Sequence, residues 1–176
     1  MELAKANAIA EELQRYLSWG CERIVIAGSI RRQKPEVKDI ELLCVPAFGG
    51  IVGEVNKLDE AIVDMLMSGH LSYRLNKRGQ RTYGDKNKFM VHKPSGIGVD
   101  IFCTDKENWG MALFIRTGPK ELNIKAMKRF MELGMKGHAY GGVSIGEAMM
   151  ECPDEETVFK LLGWKYLLPE QRNGTT

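Results

Sequence analysis

Three carboxylates stand inside apolar, strand-like runs of this 176-residue chain. Asp39 and Glu41 alternate with apolar residues in KDIELLCVP, and Asp100 lies within GVDIF. Residues two apart on a strand point to the same face, about 7 Å apart along the chain. Burying a carboxylate in apolar surroundings costs free energy unless a cation pairs with it. Mg²⁺ prefers oxygen ligands. The spacing favours a site for two Mg²⁺, with Mn²⁺ as an alternative ion; for DIE alone, an exposed strand face with incidental acids is the competing interpretation.

A Gly-Ser turn and two arginines precede the first two acids. Gly28 and Ser29 end the β-branched run RIVIAGS, and Arg31 and Arg32 follow within one helical turn. Backbone N–H groups at such a turn can bind an anion, and Ser29 could cap the turn that follows. A guanidinium can make a bidentate contact with a phosphate. A phosphate-binding turn followed by a carboxylate pair is a coherent site for a metal-bound triphosphate.

Positive charge is concentrated in two segments, although the formal net charge is only +2. Between His70 and Lys93 there are seven Lys or Arg residues and one acid, and a second basic stretch runs from Arg116 to Lys136. Acids collect instead between Glu147 and Glu156. This asymmetry fits a polyanion along one side of the molecule. A solvated basic face is the alternative.

Apolar periodicity predicts the elements that would position these groups. Helical spacing predicts helices over 3–17, 51–66, 109–115, 120–133 and 154–162. Runs rich in β-branched residues predict a strand followed by a turn over 23–29 and strands over 38–46 and 96–104, with short strands and turns over 71–93. Strands in the first two thirds and helices in the last predict an α+β fold, with a catalytic part over 1–108 and a smaller C-terminal lobe over 109–176.

Composition narrows the class of protein further. The four cysteines are widely spaced without a CxxC pair, so reduced, mostly buried thiols are predicted instead of a zinc site or a disulfide framework. No apolar run approaches the roughly 18 residues that a membrane span needs. The amphipathic, acid-containing N-terminus is unlike a signal peptide. A cytoplasmic protein that does not bind membranes, and a monomer, is expected.

Four blocks together resemble the nucleotidyltransferase superfamily and, more narrowly, the family X DNA polymerases of the polymerase beta type. They are GSIRRQKPEVKDIE, VDIF, RTGPKELNIKAM and DEETVFKLLGWKYLLPEQR, and they lie in family order from Gly28 to Arg172. The resemblance implies a polymerase beta-like palm with a mixed sheet, followed by a smaller C-terminal α/β lobe that binds the nucleotide and closes on it.

The resemblance also implies a role for each matching residue. Asp39 and Glu41 would ligate both metals, and Asp100 would ligate the metal that activates the primer 3′-hydroxyl. Nucleotide contacts would come from Gly28, Ser29, Arg32, Arg116, Thr117, Gly118 and Asn123. Contacts to the DNA backbone are predicted for Arg74, Lys77, Arg78, Arg81, Lys86, Lys88 and Lys120. The family has a cis bond after the Gly of its Thr-Gly motif, and proline makes cis inexpensive, so a cis Gly118–Pro119 bond is predicted.

Three features depart from the family pattern. Glu41 stands where the polymerases usually have Asp, and the added methylene should shift the metal geometry. Ile115 and Arg116 replace the aromatic pair of animal repair members, which leaves the choice between dNTP and rNTP open. Only 27 residues precede Gly28, so we expect a minimal viral or phage-type form without the helical lyase domain, and no removal of 5′-deoxyribose phosphate.

The predicted activity is template-directed addition of nucleotides to a primer 3′-hydroxyl by two-metal transfer from a nucleoside triphosphate. Primer-template or gapped DNA is the predicted partner, and gap filling in DNA repair is the predicted role. Two alternatives stay open. One is a nucleotidyltransferase with another acceptor, such as an RNA end, a protein or a small molecule. The other is a catalytically weak DNA-binding module in which Glu41 impairs metal binding.

Overall fold

A computed structural model describes residues 1–51 and 53–174. In chain order its elements are α1 (Leu3–Leu17), a 3₁₀ turn (Ser18–Gly20), β1 (Cys21–Ile26), α2 (Gly28–Arg31), β2 (Asp39–Pro46), β3 (Phe48–Gly49), β4 (Val55–Asn56), α3 (Lys57–Met67), β5 (Leu71–Tyr73), β6 (Asn87–His92), β7 (Gly98–Cys103), α4 (Trp109–Thr117), α5 (Lys120–Glu132), β8 (Lys136–Gly137), β9 (Val143–Ile145), β10 (Ala148–Met150), α6 (Glu155–Leu162) and a 3₁₀ turn (Pro169–Arg172).

The centre of the fold is a five-stranded sheet in the order β1-β2-β7-β6-β5. Strands β2 and β7 are parallel, and the other neighbours are antiparallel, so the predicted mixed sheet is confirmed. The β2–β7 register pairs Asp39 with Gly98 and Glu41 with Asp100. Because paired residues on neighbouring strands share a face, this register brings the three predicted carboxylates to one face of the sheet.

Helices α1 and α3 cover the opposite face of this sheet. The inward stripe of α1 is made by Ala6, Ala10, Leu13 and Leu17, which are all buried in the main hydrophobic cluster with residues of α3, β2 and β7. Fully burying a leucine side chain contributes about 1.5–3 kcal/mol. This packing makes the sheet a rigid support for the side chains on its other face.

The C-terminal helices form a second hydrophobic cluster around Phe114, Phe130 and Phe159. A small antiparallel sheet in the order β10-β9-β8 extends this lobe; the sequence pattern did not predict these short strands. A third cluster joins the lobe to the central sheet, with Trp109 of α4 packed among buried residues that include Phe102 of β7. Helix α4 is therefore the main apolar link between the two parts.

The second predicted helix begins later than its apolar pattern suggested. Helix α3 begins at Lys57 because the Asn56 side chain accepts a hydrogen bond from the Leu58 N–H at 3.0 Å, which is a favoured helix cap. Ile51, which matched the helical period, is fully exposed before β4. The cap, and not the apolar spacing, sets this boundary.

The cysteines agree with the sequence expectation. All four cysteines are free, and Cys44, Cys103 and Cys152 are buried, as predicted. Within residues 1–51 and 53–174, every helix is too short or too polar to cross a membrane.

Candidate active site

The three acidic residues lie together on the face of the sheet that α1 and α3 leave uncovered. The side chain of Asp39 is 52% exposed and that of Asp100 is 18% exposed. Burial, and after it the nearby charge of Asp100, raise the pKa of Glu41 to about 7. Burial also raises the pKa of Asp100, although Arg74 opposes that effect. Burial therefore makes the charged forms of Glu41 and Asp100 costly in this site.

Gly28 allows the Gly-Ser turn to pack directly against Glu41. Its φ is +61°, and a Cβ at this position would lie 1.7 Å from Glu41 Oε2. Only glycine combines this backbone conformation with such a close approach. The Ala27 N–H donates to the Glu41 carbonyl at 2.8 Å, so the turn and the carboxylate strand are fixed to each other.

A cavity of about 280 Å³ lies between this turn and strand β2. It is lined by Ser29, Arg32, Lys34, Glu36, Lys38, Asp39 and Glu41. Basic side chains beside carboxylates suit a metal-bound polyphosphate, because the cations meet the phosphates while the carboxylates meet the metal. Lys34 and Lys38 were not predicted as site residues. Their position in the short loop between the Gly-Ser turn and the acids could have indicated that they line the site.

Arg32 lines the cavity and also contacts the C-terminal lobe. Its Nη1 donates to the Thr117 carbonyl, and its Nε donates to Asn173 Oδ1 at 3.0 Å. Asn173 Nδ2 donates in turn to the Arg32 carbonyl at 2.6 Å. The arginine predicted to hold the triphosphate therefore lies where the turn, the end of α4 and the C-terminal segment meet.

Arg31 connects the same turn to α6. It donates to Thr117 Oγ1 at 2.5 Å and to Glu155 Oε2 at 2.7 Å. The other oxygen of Glu155 accepts from Arg172 Nη1 at 2.7 Å, and the Arg172 side chain is fully buried. This buried arginine–glutamate–arginine group was not predicted, because its members are far apart along the chain.

Arg116 stacks on the sheet instead of extending into solvent. Its guanidinium lies 3.7 Å from the ring centre of Phe102. It donates to the Tyr140 hydroxyl, which donates to Asn87 Oδ1. Its Nε is buried without a hydrogen-bond partner among the described residues. This planar cation therefore borders the carboxylates and has a donor available.

The Thr-Gly segment turns sharply between α4 and α5. The Gly118–Pro119 bond is cis, which confirms that prediction. Thr117 is fully buried. Asn123 Nδ2 donates to the Ile115 carbonyl at 2.8 Å, while Asn123 Oδ1 is buried without a partner in the described part of the chain. Asn123 Oδ1 is therefore available to accept a hydrogen bond from a ligand.

Arg74 corrects one of the predicted DNA contacts. Its Nη2 lies 2.6 Å from Asp100 Oδ1, and its Nη1 lies 3.8 Å from Asp39 Oδ1. The side chain therefore faces the acids. Over residues 1–51 and 53–174, no three His, Cys, Asp or Glu side chains are already gathered as a metal site. The all-carboxylate donor set nevertheless suits Mg²⁺, and among the described residues the buried Asp100 Oδ1 has the Arg74 guanidinium beside it but no other hydrogen-bond partner.

Lys88 is the second correction, because it lies inside the protein. It is 1% exposed, pairs with Asp59 Oδ1 at 2.8 Å and donates to the Gly84 carbonyl at 3.0 Å. Burial alternates along β6, and Lys88 falls on the inward side. The other basic side chains predicted to contact DNA are exposed: Lys77, Arg78, Arg81, Lys86 and Lys120.

Comparisons with known proteins agree with this fold. Residues 112–173 match the family model for the DNA polymerase beta thumb. The chain is 25% identical over 152 residues to the Repair DNA polymerase X of African swine fever virus, a match that covers 86% of this chain and 82% of the relative. Polymerase beta of Leishmania infantum, solved as a ternary P/T complex, superposes with a TM-score of 0.77 at 17% identity, over 98% of this chain and 76% of that one.

The fold is thus that of a polymerase beta-like protein, with an α+β architecture and a mixed central sheet. The thumb match and the viral relative agree with the family X resemblance of the four sequence blocks, and the structural match shows a polymerase beta-like fold. The resemblance that the four sequence blocks indicated is therefore confirmed.

Proposed function

We propose that the protein is a template-directed DNA polymerase that adds nucleotides to a primer 3′-hydroxyl and fills gaps during DNA repair. The observation that carries this proposal is the juxtaposition of Glu41 and Asp100 in register on parallel strands, beside a cavity lined by both basic and acidic groups. The similarity to a viral repair polymerase supports the same activity.

In this proposal Asp39, Glu41 and Asp100 hold divalent metal ions, with Mg²⁺ as the expected ion. Bound Mg²⁺ stabilises the charge that develops on the attacking and leaving oxygens of a phosphoryl transfer. Asp100, on β7 and paired with Phe89 of β6, would ligate the metal ion that activates the primer 3′-hydroxyl. The raised pKa of Glu41 fits a ligand whose negative charge is stabilised mainly by a bound cation.

The nucleotide would lie between the turn and the C-terminal lobe. Ser29, Arg32 and the cavity lysines face the region in which the triphosphate would bind. Arg116, Thr117, Gly118 and Asn123 line the junction from the other side and would contact the sugar and base. The buried Asn123 Oδ1 and Arg116 Nε, both without partners among the described residues, are the polar atoms suited to these contacts.

Extension of a labelled primer across a single-nucleotide gap tests the proposal. We expect templated addition of one nucleotide with Mg²⁺, and addition of the mismatched nucleotides at a lower rate. Parallel reactions with rNTPs would show which sugar is accepted beside Arg116. Binding to gapped DNA without extension under Mg²⁺ or Mn²⁺ would favour the DNA-binding module. Nucleotide transfer without any effect of DNA would favour a different acceptor.

The exposed turn between β5 and β6 is proposed to contact the DNA backbone. Replacing Lys77 and Arg78 together by alanine should weaken binding to gapped DNA of any sequence, because both side chains are exposed and phosphate contacts carry no sequence information. The slope of log K against log salt should fall by about 1–2. Fluorescence anisotropy at several salt concentrations measures both quantities.

The matched control removes two charges from the exposed side of α1. Lys5 and Arg15 are both exposed there, so their double alanine variant changes the net charge equally. It should keep the salt slope of the parent protein. An unchanged slope in the Lys77/Arg78 variant would place the DNA elsewhere on the molecule.

A further inference from the structure

The position of Arg74 among the carboxylates is not explained by a DNA-binding role. Arg74 follows β5, and its backbone N–H donates to the Phe89 carbonyl at 3.1 Å. Its guanidinium lies 4.7 Å from the ring centre of Phe89. From this support it reaches across β6 to Asp100 and Asp39. One side chain therefore contacts two of the three acids, although it follows β5 and the acids lie on β2 and β7.

Gly98 provides the space that Arg74 occupies. Gly98 is paired with Asp39 and stands two residues before Asp100 on β7. A Cβ at this position would lie 2.7 Å from Arg74 Nη1 and 2.7 Å from Asp39 Oδ1. Any larger residue would force the guanidinium or the carboxylate to move. The glycine and the arginine thus form one arrangement that places a positive charge beside both aspartates.

We propose that Arg74 is a resident counter-cation of the carboxylate site, which holds Asp39 and Asp100 in the metal-free protein and is displaced when divalent metal binds. This inference rests on the proposed function, since it takes the three acids to be the metal ligands. Two observations lead to it: the acids are not gathered as a metal site in the described residues, and a guanidinium lies against two of them. Arg74 is a positioning residue that competes with the metal.

The competition has an electrostatic basis. A unit positive charge within about 4 Å of a ligand carboxylate repels an incoming divalent cation. Removing that charge should tighten metal binding by roughly tenfold or more, even after solvent screening of this partly exposed group. The same change leaves the acids without a cation when metal is absent, so the metal-free protein should become less stable.

Direct Mn²⁺ binding tests this role without any substrate. The full chain, free of DNA and nucleotide, would be titrated with Mn²⁺ and the unbound ion measured by electron paramagnetic resonance. Arg74→Gln should bind Mn²⁺ roughly tenfold more tightly than the parent, and Arg74→Lys should show a smaller gain because it keeps the charge without the planar fork. Arg15→Gln, on the exposed side of α1, should change the affinity less than twofold.

Thermal melting gives a second readout that a purely structural role would not produce. Arg74→Gln should melt below the parent in EDTA and should gain more from added Mn²⁺ than the parent does. Unchanged or weaker Mn²⁺ binding in Arg74→Gln would overturn the inference. If that variant does not fold without metal, the same outcome in Arg74→Lys would overturn it.

Failure of this inference can be distinguished from failure of the proposed function. A parent protein that extends primers and binds Mn²⁺, together with an Arg74→Gln variant that binds Mn²⁺ no more tightly, refutes only the role of Arg74. A parent protein that binds no Mn²⁺ and extends no primer refutes both.

Discussion

Replacing Asp100 by asparagine should abolish templated primer extension while the fold and DNA binding remain intact. Asparagine keeps the shape of the side chain and one oxygen, but it removes the negative charge that a divalent cation needs. A catalytic metal contributes several kcal/mol to transition-state stabilisation, and each 1.36 kcal/mol is about tenfold in rate. We therefore expect the rate on single-nucleotide-gapped DNA to fall by at least about a thousandfold.

The matched control is Asp105→Asn, five residues further along the chain. Asp105 is exposed, and its Oδ1 accepts hydrogen bonds from Asn108 that an amide oxygen can also accept. This variant should extend primers at nearly the parental rate. Single-turnover extension and anisotropy with gapped DNA would be measured for both variants. Substantial extension by Asp100→Asn, with parental Mg²⁺ dependence, would remove Asp100 from the proposed metal site.

The sequence identified the carboxylates because acids inside apolar strand runs are energetically unusual. It also predicted the Gly-Ser turn, most helix bounds and the mixed sheet. It did not give the strand order, so it could not show that Glu41 and Asp100 are directly paired across β2 and β7. The pairing of these two strands joins residues that are far apart in the sequence. The spacing of the carboxylates along the chain does not show which strands are neighbours.

Arg74 and Lys88 show why the basic segment was only partly interpretable. Counting charges in 71–93 treats every lysine and arginine as exposed. In a strand, however, the face on which a residue lies decides whether its side chain is buried or exposed. Lys88 lies on the inward side of β6 and pairs with Asp59, which alternation along that strand could have indicated. The contact of Arg74 with Asp100 depends on β5, β6 and β7 lying side by side, and local sequence could not indicate it.

The junction between the turn and the C-terminal lobe was the least predictable part of the site. Arg31, Glu155 and Arg172 come from α2, α6 and the last 3₁₀ turn. Each looks like an ordinary surface residue in its own segment. Their contacts arise only when the C-terminal helices pack on the sheet, and they set the position of Thr117 and of the turn that carries Arg32.

This group leads to the largest expected effect on stability. Glu155→Gln should lower the free energy of unfolding by about 3–5 kcal/mol, because it removes the shared carboxylate charge from a buried ion group. The fully buried Arg172 and the half-buried Arg31 would both lose the ion pair with Glu155. Urea unfolding followed by circular dichroism measures the change. Glu156→Gln is the matched control: Glu156 is exposed on the same helix turn, and its change should stay within about 0.5 kcal/mol.

The effect of Glu155→Gln should also depend on pH in a defined direction. Burial alone would raise the pKa of Glu155, but hydrogen bonds from Arg31 and Arg172 outweigh it and lower the pKa below its ordinary value of 4.5. A lowered pKa in the folded state stabilises the protein above the unfolded pKa, and that stability is lost as the pH falls through the folded value. The difference between parent and variant should therefore be full at pH 7 and should shrink as the pH falls below about 4. A difference that stays constant down to pH 3, or one below about 1 kcal/mol at pH 7, would mean that the charge of Glu155 does not hold the turn and the C-terminal lobe together.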